Sequence, residues 1–194
     1  MKRIIAMVLI LGCAVMSLTG CGLVFGAINS IIAAANPDYE AEEMTFYKDE
    51  FSITLTDAFY ESADESYMAY YSSANGTTVQ VHKYSFDTTE FEPGCSPQEY
   101  AEKLIEIYSG ISDEFAIMSA TNFSPITVED DMAYFTCNMT LVVELKYMTS
   151  VHITDGAIIV VDMTTLAMNY EDVYAEPFTR WTRSVKISRA NATA

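Results

Sequence analysis

The sequence predicts an α+β domain built from an antiparallel sheet covered by helices, and three observations carry that expectation. From Phe51 onward apolar and polar residues alternate with a period of two, the mark of half-buried strands. Ser96-Pro97-Gln98-Glu99 has the residue types of a helix start and precedes an apolar stripe at helical spacing. Asn75-Gly76 and Asp155-Gly156, each set between alternating runs, are strong short-range hairpin signals. Hairpin-linked strands with helices in two separate places fit an antiparallel sheet covered by helices better than a parallel, doubly wound one.

Taken in order, Asn36-Pro-Asp-Tyr-Glu-Ala-Glu-Glu43 reads as a solvated linker, so residues 21–43 form a tether and residues 44–194 a single domain. Ile28, Ile31, Ile32 and Ala35 fall at helical spacing within that tether. This fits a short helix on a membrane surface or a plain tether, and the spacing does not choose between them. Phe51, Ile53 and Leu55 alternate with Ser52, Thr54 and Thr56 in the first strand. Tyr67–Ser73 and Thr77–Phe86 follow as strands joined across Ser73-Ala-Asn-Gly76, and a loop runs from Asp87 to Cys95. Ser96 is placed as N-cap, Pro97 as first helical residue and Glu99 as the reciprocal capping partner. Tyr100, Ala101, Leu104, Ile107, Tyr108 and Ile111 form the buried stripe of that helix. Strands are then expected near Ala116–Asn122, Ile126–Val128, Met132–Leu141, Glu144–Ile153 and Ala157–Leu166, with Glu129-Asp130-Asp131 as a turn. A closing helical segment spans about Tyr170–Arg183, with Phe178, Trp181 and Val185 on one face. Pro177 either starts its main helix or breaks it in two. Val185-Lys-Ile187 reads as a last extended segment.

This order resembles the PsbP-like and DcrB-like families of α/β/α sandwich domains. The residues that carry the resemblance are Phe51-Ser-Ile-Thr-Leu55, the helix Ser96-Pro-Gln-Glu-Tyr-Ala-Glu-Lys-Leu104, the meander Ala133 to Val161, and Phe178-Thr-Arg-Trp-Thr-Arg-Ser-Val-Lys186. Together they cover about Phe46 to Ser188. Members often carry a Pro-Gly-type turn after the first strand, where this chain has Thr56-Asp-Ala-Phe59. The resemblance implies an α/β/α sandwich and a non-catalytic binding or assembly module, since such domains usually serve as accessory proteins on larger complexes.

The start of the chain has its own pattern. Lys2-Arg3, an apolar run and Leu18-Thr19-Gly20-Cys21 follow the order of a secretory signal peptide covering residues 1–20. Leu18-Thr-Gly-Cys21 resembles the lipobox of bacterial lipoproteins. That resemblance implies cleavage before Cys21 and a diacylglyceryl group on it, placing the domain on the extracytoplasmic face of a cell membrane. Two acyl chains hold a protein stably at a bilayer, where one does so only marginally. An uncleaved membrane helix is the rival reading, because no charge occurs from Ile4 to Asn36. Gly12, Gly20, Gly22, Gly26 and Asn29 within that run argue against it.

The formal charge is −17, and losing Lys2 and Arg3 makes the remainder more acidic still. Such a chain excludes nucleic acid as a partner, since phosphate binding rests on clustered Lys and Arg. It also excludes a polybasic grip on anionic lipid. No Gly-x-Ser-x-Gly, His-Glu-x-x-His, Cys-x-x-Cys or phosphate-binding glycine loop occurs. His82 and His152 sit in alternating strands without a sequence-local carboxylate partner. The acidic groups 61–65, 87–92 and 129–131 fall in expected loops and lack EF-hand spacing. Cys95 and Cys137 form a possible disulfide in an exported protein, their pairing set by a separation that sequence does not give. Tyr67, Tyr70, Tyr71 and Tyr134 are read as sheet-core residues ahead of an aromatic recognition surface. No enzyme, metal or cofactor is therefore expected. The leading expectation is a lipid-anchored accessory module for an envelope protein partner. The alternative is a small-ligand or cation-binding lipoprotein using the acidic loops.

Overall fold

The computed structural model of the chain describes residues 41–64, 66–86, 94–111, 118–140, 143–154 and 156–188. Cys21, the signal-peptide pattern, the acidic group 87–92 and Asp155 lie outside the described residues. The strands are β1 (Glu43–Lys48), β2 (Phe51–Thr56), β3 (Phe59–Glu61), β4 (Ala69–Ser73), β5 (Thr78–Ser85), β6 (Ser119–Thr121), β7 (Thr127–Glu129), β8 (Met132–Thr140), β9 (Glu144–Ile153), β10 (Ala157–Leu166) and β11 (Lys186–Ile187). Helix α1 (Pro97–Ser109) lies between β5 and β6. After β10, α2 (Ala167–Asn169) passes through a π-helical turn (Tyr170–Tyr174) into α3 (Ala175–Ser184).

All strand pairings are antiparallel. A large sheet has the order β3-β4-β5-β10-β9-β8-β6, with β7 also paired to β8, and a small sheet has the order β1-β2-β11. Period-two alternation explains how the large sheet holds a core on each face. In β10, Ile159, Val161 and Met163 point to one side, where they meet Phe51, Ile53 and Leu55 of β2 and Tyr170, Tyr174, Phe178 and Trp181 of the C-terminal helix. Ile158 and Val160 point to the other side and join Tyr100, Ala101, Leu104 and Tyr108 of α1. One face thus carries α1, and the opposite face carries the C-terminal helix and the small sheet. The fold class is the expected α+β sandwich, with an antiparallel sheet between helices.

Local sequence sets the helix ends. Ser96 Oγ accepts from Glu99 N while Glu99 Oε2 accepts from Ser96 N, which is the full capping box. Of the expected stripe, Tyr100, Ala101, Leu104, Tyr108 and Ile111 are buried, and Ile107 is only half-buried. At the C-terminal helix, Pro177 is the third residue of α3 and comes directly after the π-helical turn, inside a helical stretch that runs on from Ala167, so it neither starts the segment nor breaks it in two. The chain widens just before it: Ala175 N–H reaches back five residues to Tyr170 O. Phe178 is fully buried there, and truncating such a ring typically costs about 3–5 kcal/mol.

Two strands go beyond the expectations from sequence. β1 begins at Glu43, within the stretch read as linker, and β3 occupies Phe59–Glu61 after the Thr56-to-Phe59 turn. β1 is an edge strand with exposed Glu43, Met44, Thr45 and Tyr47, so its sequence carries little of the apolar alternation that marks a half-buried strand. β3 is too short to show a period. The Glu129-Asp130-Asp131 turn is present, with Asp130 at φ 49°, and Gly76 supplies φ 83° in the β4–β5 turn. Among the described residues no helix is long and apolar enough to cross a membrane.

Candidate functional site

The register places two polar rows side by side on the α1 face of the large sheet. One row is Tyr60, Ser72, Thr78, Thr164 and Tyr147, each the partner of the next across β3, β4, β5, β10 and β9. The neighbouring row is Tyr70, Gln80, Asp162 and Thr149. His82 follows Gln80 on the same side of β5, opposite Val160. An ordinary sheet core would place apolar side chains here, as β8 and β9 do farther along with Ala133, Phe135 and Val151. Burial deepens from edge to centre: Tyr60 on β3 is 53% exposed, Ser72 and Tyr70 are half-buried, and Asp162 is 4% exposed.

Asp162 is the chemical centre of this face. Thr149 Oγ1 donates to its Oδ1 at 2.5 Å, and His82 Nε2 stands 3.7 Å from Oδ2, beyond hydrogen-bond range. Burial pushes the Asp162 carboxyl above the usual carboxylate range, while His82, Thr149 and the Tyr108 hydroxyl pull it back. Burial pushes His82 down, and the Asp162 charge opposes it. Each member is therefore driven toward its uncharged form by burial and held back by the other. Tyr84, Tyr100, Tyr108 and Tyr147 are all pushed up by burial first, with the Asp162 charge adding to it. The face is thus lined by protonated phenols around one acid.

A line of rings flanks these rows. Tyr67 stacks on Tyr70 at 5.3 Å between centroids, meets His82 edge-on at 4.9 Å, and His82 stacks on Tyr84 at 5.9 Å. Gln80 is 1% exposed, yet its Nε2 has no hydrogen-bond partner among the described residues, and neither has Thr78 Oγ1. Buried polar groups are otherwise nearly always satisfied. On the opposite face the comparable atoms are Tyr71 Oη and Trp181 Nε1, each the polar tip of a ring in an apolar core.

The residues singled out from sequence are dispersed. His82 faces α1, whereas His152 pairs with Ile159 and faces the C-terminal helix, so the two histidines share no site. Ser150 Oγ lies 3.2 Å from His152 Nε2, and burial takes that imidazole down to about 4. Tyr71 is buried toward the C-terminal helix, Tyr67 and Tyr70 lie on the α1 face, and Tyr134 donates to Glu129, so the four tyrosines form no common surface. Glu61 pairs with Lys48 at 2.9 Å, and Glu129 is gripped by Arg183 Nε and Nη2 at 2.8 and 2.6 Å. Two acidic turns therefore hold cationic side chains of the chain itself. Among the described residues no three His, Cys, Asp or Glu side chains are grouped to hold a metal ion. Cys95 and Cys137 are free thiols in the structure, both at the cluster under α1.

A cleft of about 430 Å³ lies between the end of β8, the start of β9 and the start of the C-terminal helix. Asn138, Glu144 and Lys146 in its wall are joined to one another. Asn138 Nδ2 donates to Glu144 at 2.8 Å, Lys146 Nζ donates to Asn138 at 3.1 Å, and Lys146 lies 5.2 Å over the Tyr170 ring. The α1 face, by contrast, keeps unmet donors.

The polar rows escaped the sequence reading because Thr78-Val-Gln-Val-His82 alternates as any half-exposed strand does. The signal was Asp162 inside Ile158-Ile-Val-Val-Asp-Met, a single acid in a continuous apolar strand.

The architecture is PsbP-like. It is similar to CyanoP, the cyanobacterial PsbP of Synechocystis sp. PCC 6803, with a TM-score of 0.53 and 14% identity over 76% of this chain and 92% of that one. A mutant of the protein Mog1 aligns at TM-score 0.48 and 11% identity over 80% of this chain and 100% of that one. LpqN of Mycobacterium tuberculosis, described as involved in cell envelope biogenesis, aligns at 0.45 and 10% over 81% and 96%. No family model matches the chain, and no curated protein matches it in sequence.

Proposed function

We propose that the protein is a bacterial lipoprotein, anchored through Cys21 on the extracytoplasmic face of the cell membrane, whose domain is a non-enzymatic accessory module for a protein partner in the envelope. The observation that carries this reading is the pairing of a lipobox-type start with a PsbP-like sandwich. The dispersal of the histidines and the engagement of Glu61 and Glu129 in ion pairs support a binding role over catalysis. A general base needs contact with a reacting group. His152 faces the packed core beneath the C-terminal helix, and His82 stands under Tyr67 and Tyr84.

The anchor and the partner are tested separately. Intact-mass analysis of membrane-fraction protein should show a chain starting at a diacylated Cys21, and a chain that retains Met1 would refute the anchor. Crosslinking in intact cells followed by mass spectrometry should return a stoichiometric envelope protein. Recovery of the protein alone, at full crosslinking efficiency, would refute the accessory role.

A further inference from the structure

We propose that the cleft between β8, β9 and the start of the C-terminal helix binds a free α-amino acid with an uncharged side chain, held through both of its charges. This function is separate from partner docking and does not depend on it. The cleft offers about 430 Å³, within the roughly 300–1,000 Å³ of small-molecule sites. Its charges are kept apart. Lys48, Lys83, Lys103, Arg180 and Arg183 each pair with a glutamate. Lys146 is half-buried in the cleft wall and pairs with no carboxylate among the described residues, although Glu144 and Glu171 line the same cleft. Asn138 supplies the reason. Its Nδ2 donates to Glu144 Oε1 at 2.8 Å and its Oδ1 accepts from Lys146 at 3.1 Å, so the amide stands between the opposite charges. The Tyr170 ring flanks the same ammonium, with its centroid 5.2 Å away.

An ammonium in this state has more donors than the one it spends on Asn138, and it lacks an anion. That calls for a carboxylate on the occupant. A purely anionic ligand fits poorly, because Glu144 and Glu171 are exposed beside Lys146 and the chain as a whole is strongly acidic. A purely cationic ligand meets Lys146 itself. A zwitterion answers both signs. Its carboxylate takes the remaining N–H groups of Lys146, and its ammonium lies toward Glu144 and Glu171, neither of which is in an ion pair among the described residues. Met168, 81% exposed, adds a thioether that adapts to the apolar part of the ligand. Tyr170 and Glu171 come to the cleft from the π-helical turn, a rare form that recurs at functional sites.

The test uses the purified full chain and saturation-transfer NMR titrations with leucine and methionine. Isocaproate, which is leucine without its ammonium, and isoamylamine, which is leucine without its carboxylate, separate the two charges. At least one amino acid should bind, and each single-charge analogue should bind more weakly by roughly tenfold or more, the loss of a hydrogen bond to a charged group. Lys146→Met keeps an unbranched stem beside Tyr170 and should weaken binding by a similar factor. Glu171→Gln alters only an exposed side chain, serves should Lys146→Met fail to fold, and should act in the same direction. Lys103→Ala, on α1 at the opposite face, should leave binding unchanged. No signal from either amino acid, unchanged binding in either folded cleft variant, or loss in Lys103→Ala would overturn the proposal. Isocaproate or isoamylamine binding as well as leucine would overturn the assignment to a zwitterion.

Discussion

Thr149 and Asp162 face each other across the β9–β10 pair, the threonine hydroxyl donating to a carboxyl that is almost wholly removed from water. The pair is an interior hydrogen bond to an acid, so its removal is asymmetric. Thr149→Val keeps the volume but strips a donor from a buried acceptor, which should cost about 1–3 kcal/mol. Replacing both partners, Thr149→Val with Asp162→Val, should cost less than the sum of the single changes, because no polar group is then stranded. Urea unfolding of the four proteins measures the cycle, with midpoints moving at constant slope. Strict additivity would show that Asp162 is satisfied by other groups.

The α1 start makes a cleaner prediction. Ser96→Ala removes the acceptor for Glu99 N and should lower stability by about 1 kcal/mol. Ser96→Asp should restore most of that, since it accepts the same bond and places negative charge at the helix N-terminus. Thermal and urea melts of the two variants check the order.

Elements whose physics is local were legible in the sequence. The capping box needs four adjacent residues, and the strands Glu144–Ile153 and Ala157–Leu166 announce themselves by length and apolar content. β1 and β3 were not legible, because an edge strand owes its existence to the neighbour it pairs with. The π-helical turn before Pro177 was legible only as a disturbance at that proline. The candidate site was the least legible. Gln80, Asp162 and Thr149 stand in line because of strand register, and register is a property of the whole sheet. No spacing along the chain links residue 80 to residue 162.

The two thiols should differ in reactivity. Cys137 lies buried on β8, and burial pushes its thiol up to about 12. Cys95 is half-buried ahead of α1, and it too is raised, by burial first and Glu99 second. The thiolate is the reactive species, so a thiol reagent at pH 8 should label Cys95 readily and Cys137 only through unfolding. In denaturing urea without reductant both should react, in keeping with two free thiols. Rapid native labelling of Cys137 would mean that the sheet under α1 opens far more easily than its packing implies.

The last prediction concerns pH and rests on His152. Burial lowers its folded pKa to about 4, against an unfolded value near 6.5. Between those values the unfolded chain binds more protons than the folded one, so stability rises with pH. The contribution is fully present above about pH 6.5, is lost as pH falls toward 4, and amounts to about 3 kcal/mol for a shift of that size. His82 is lowered as well and acts in the same direction. Asp162 is raised, so its contribution is greatest at low pH and fades as pH rises through its folded value, partly offsetting the histidines. His152→Gln isolates one term, because Gln keeps a polar group within reach of Ser150 but does not titrate. Urea midpoints measured at pH 7.5, 6.5, 5.5 and 4.5 should fall more steeply in the wild type than in the variant. The gap should open below pH 6.5. Parallel curves over that range would show that His152 takes up its proton in the folded state as easily as in water, and that the face beneath the C-terminal helix admits solvent.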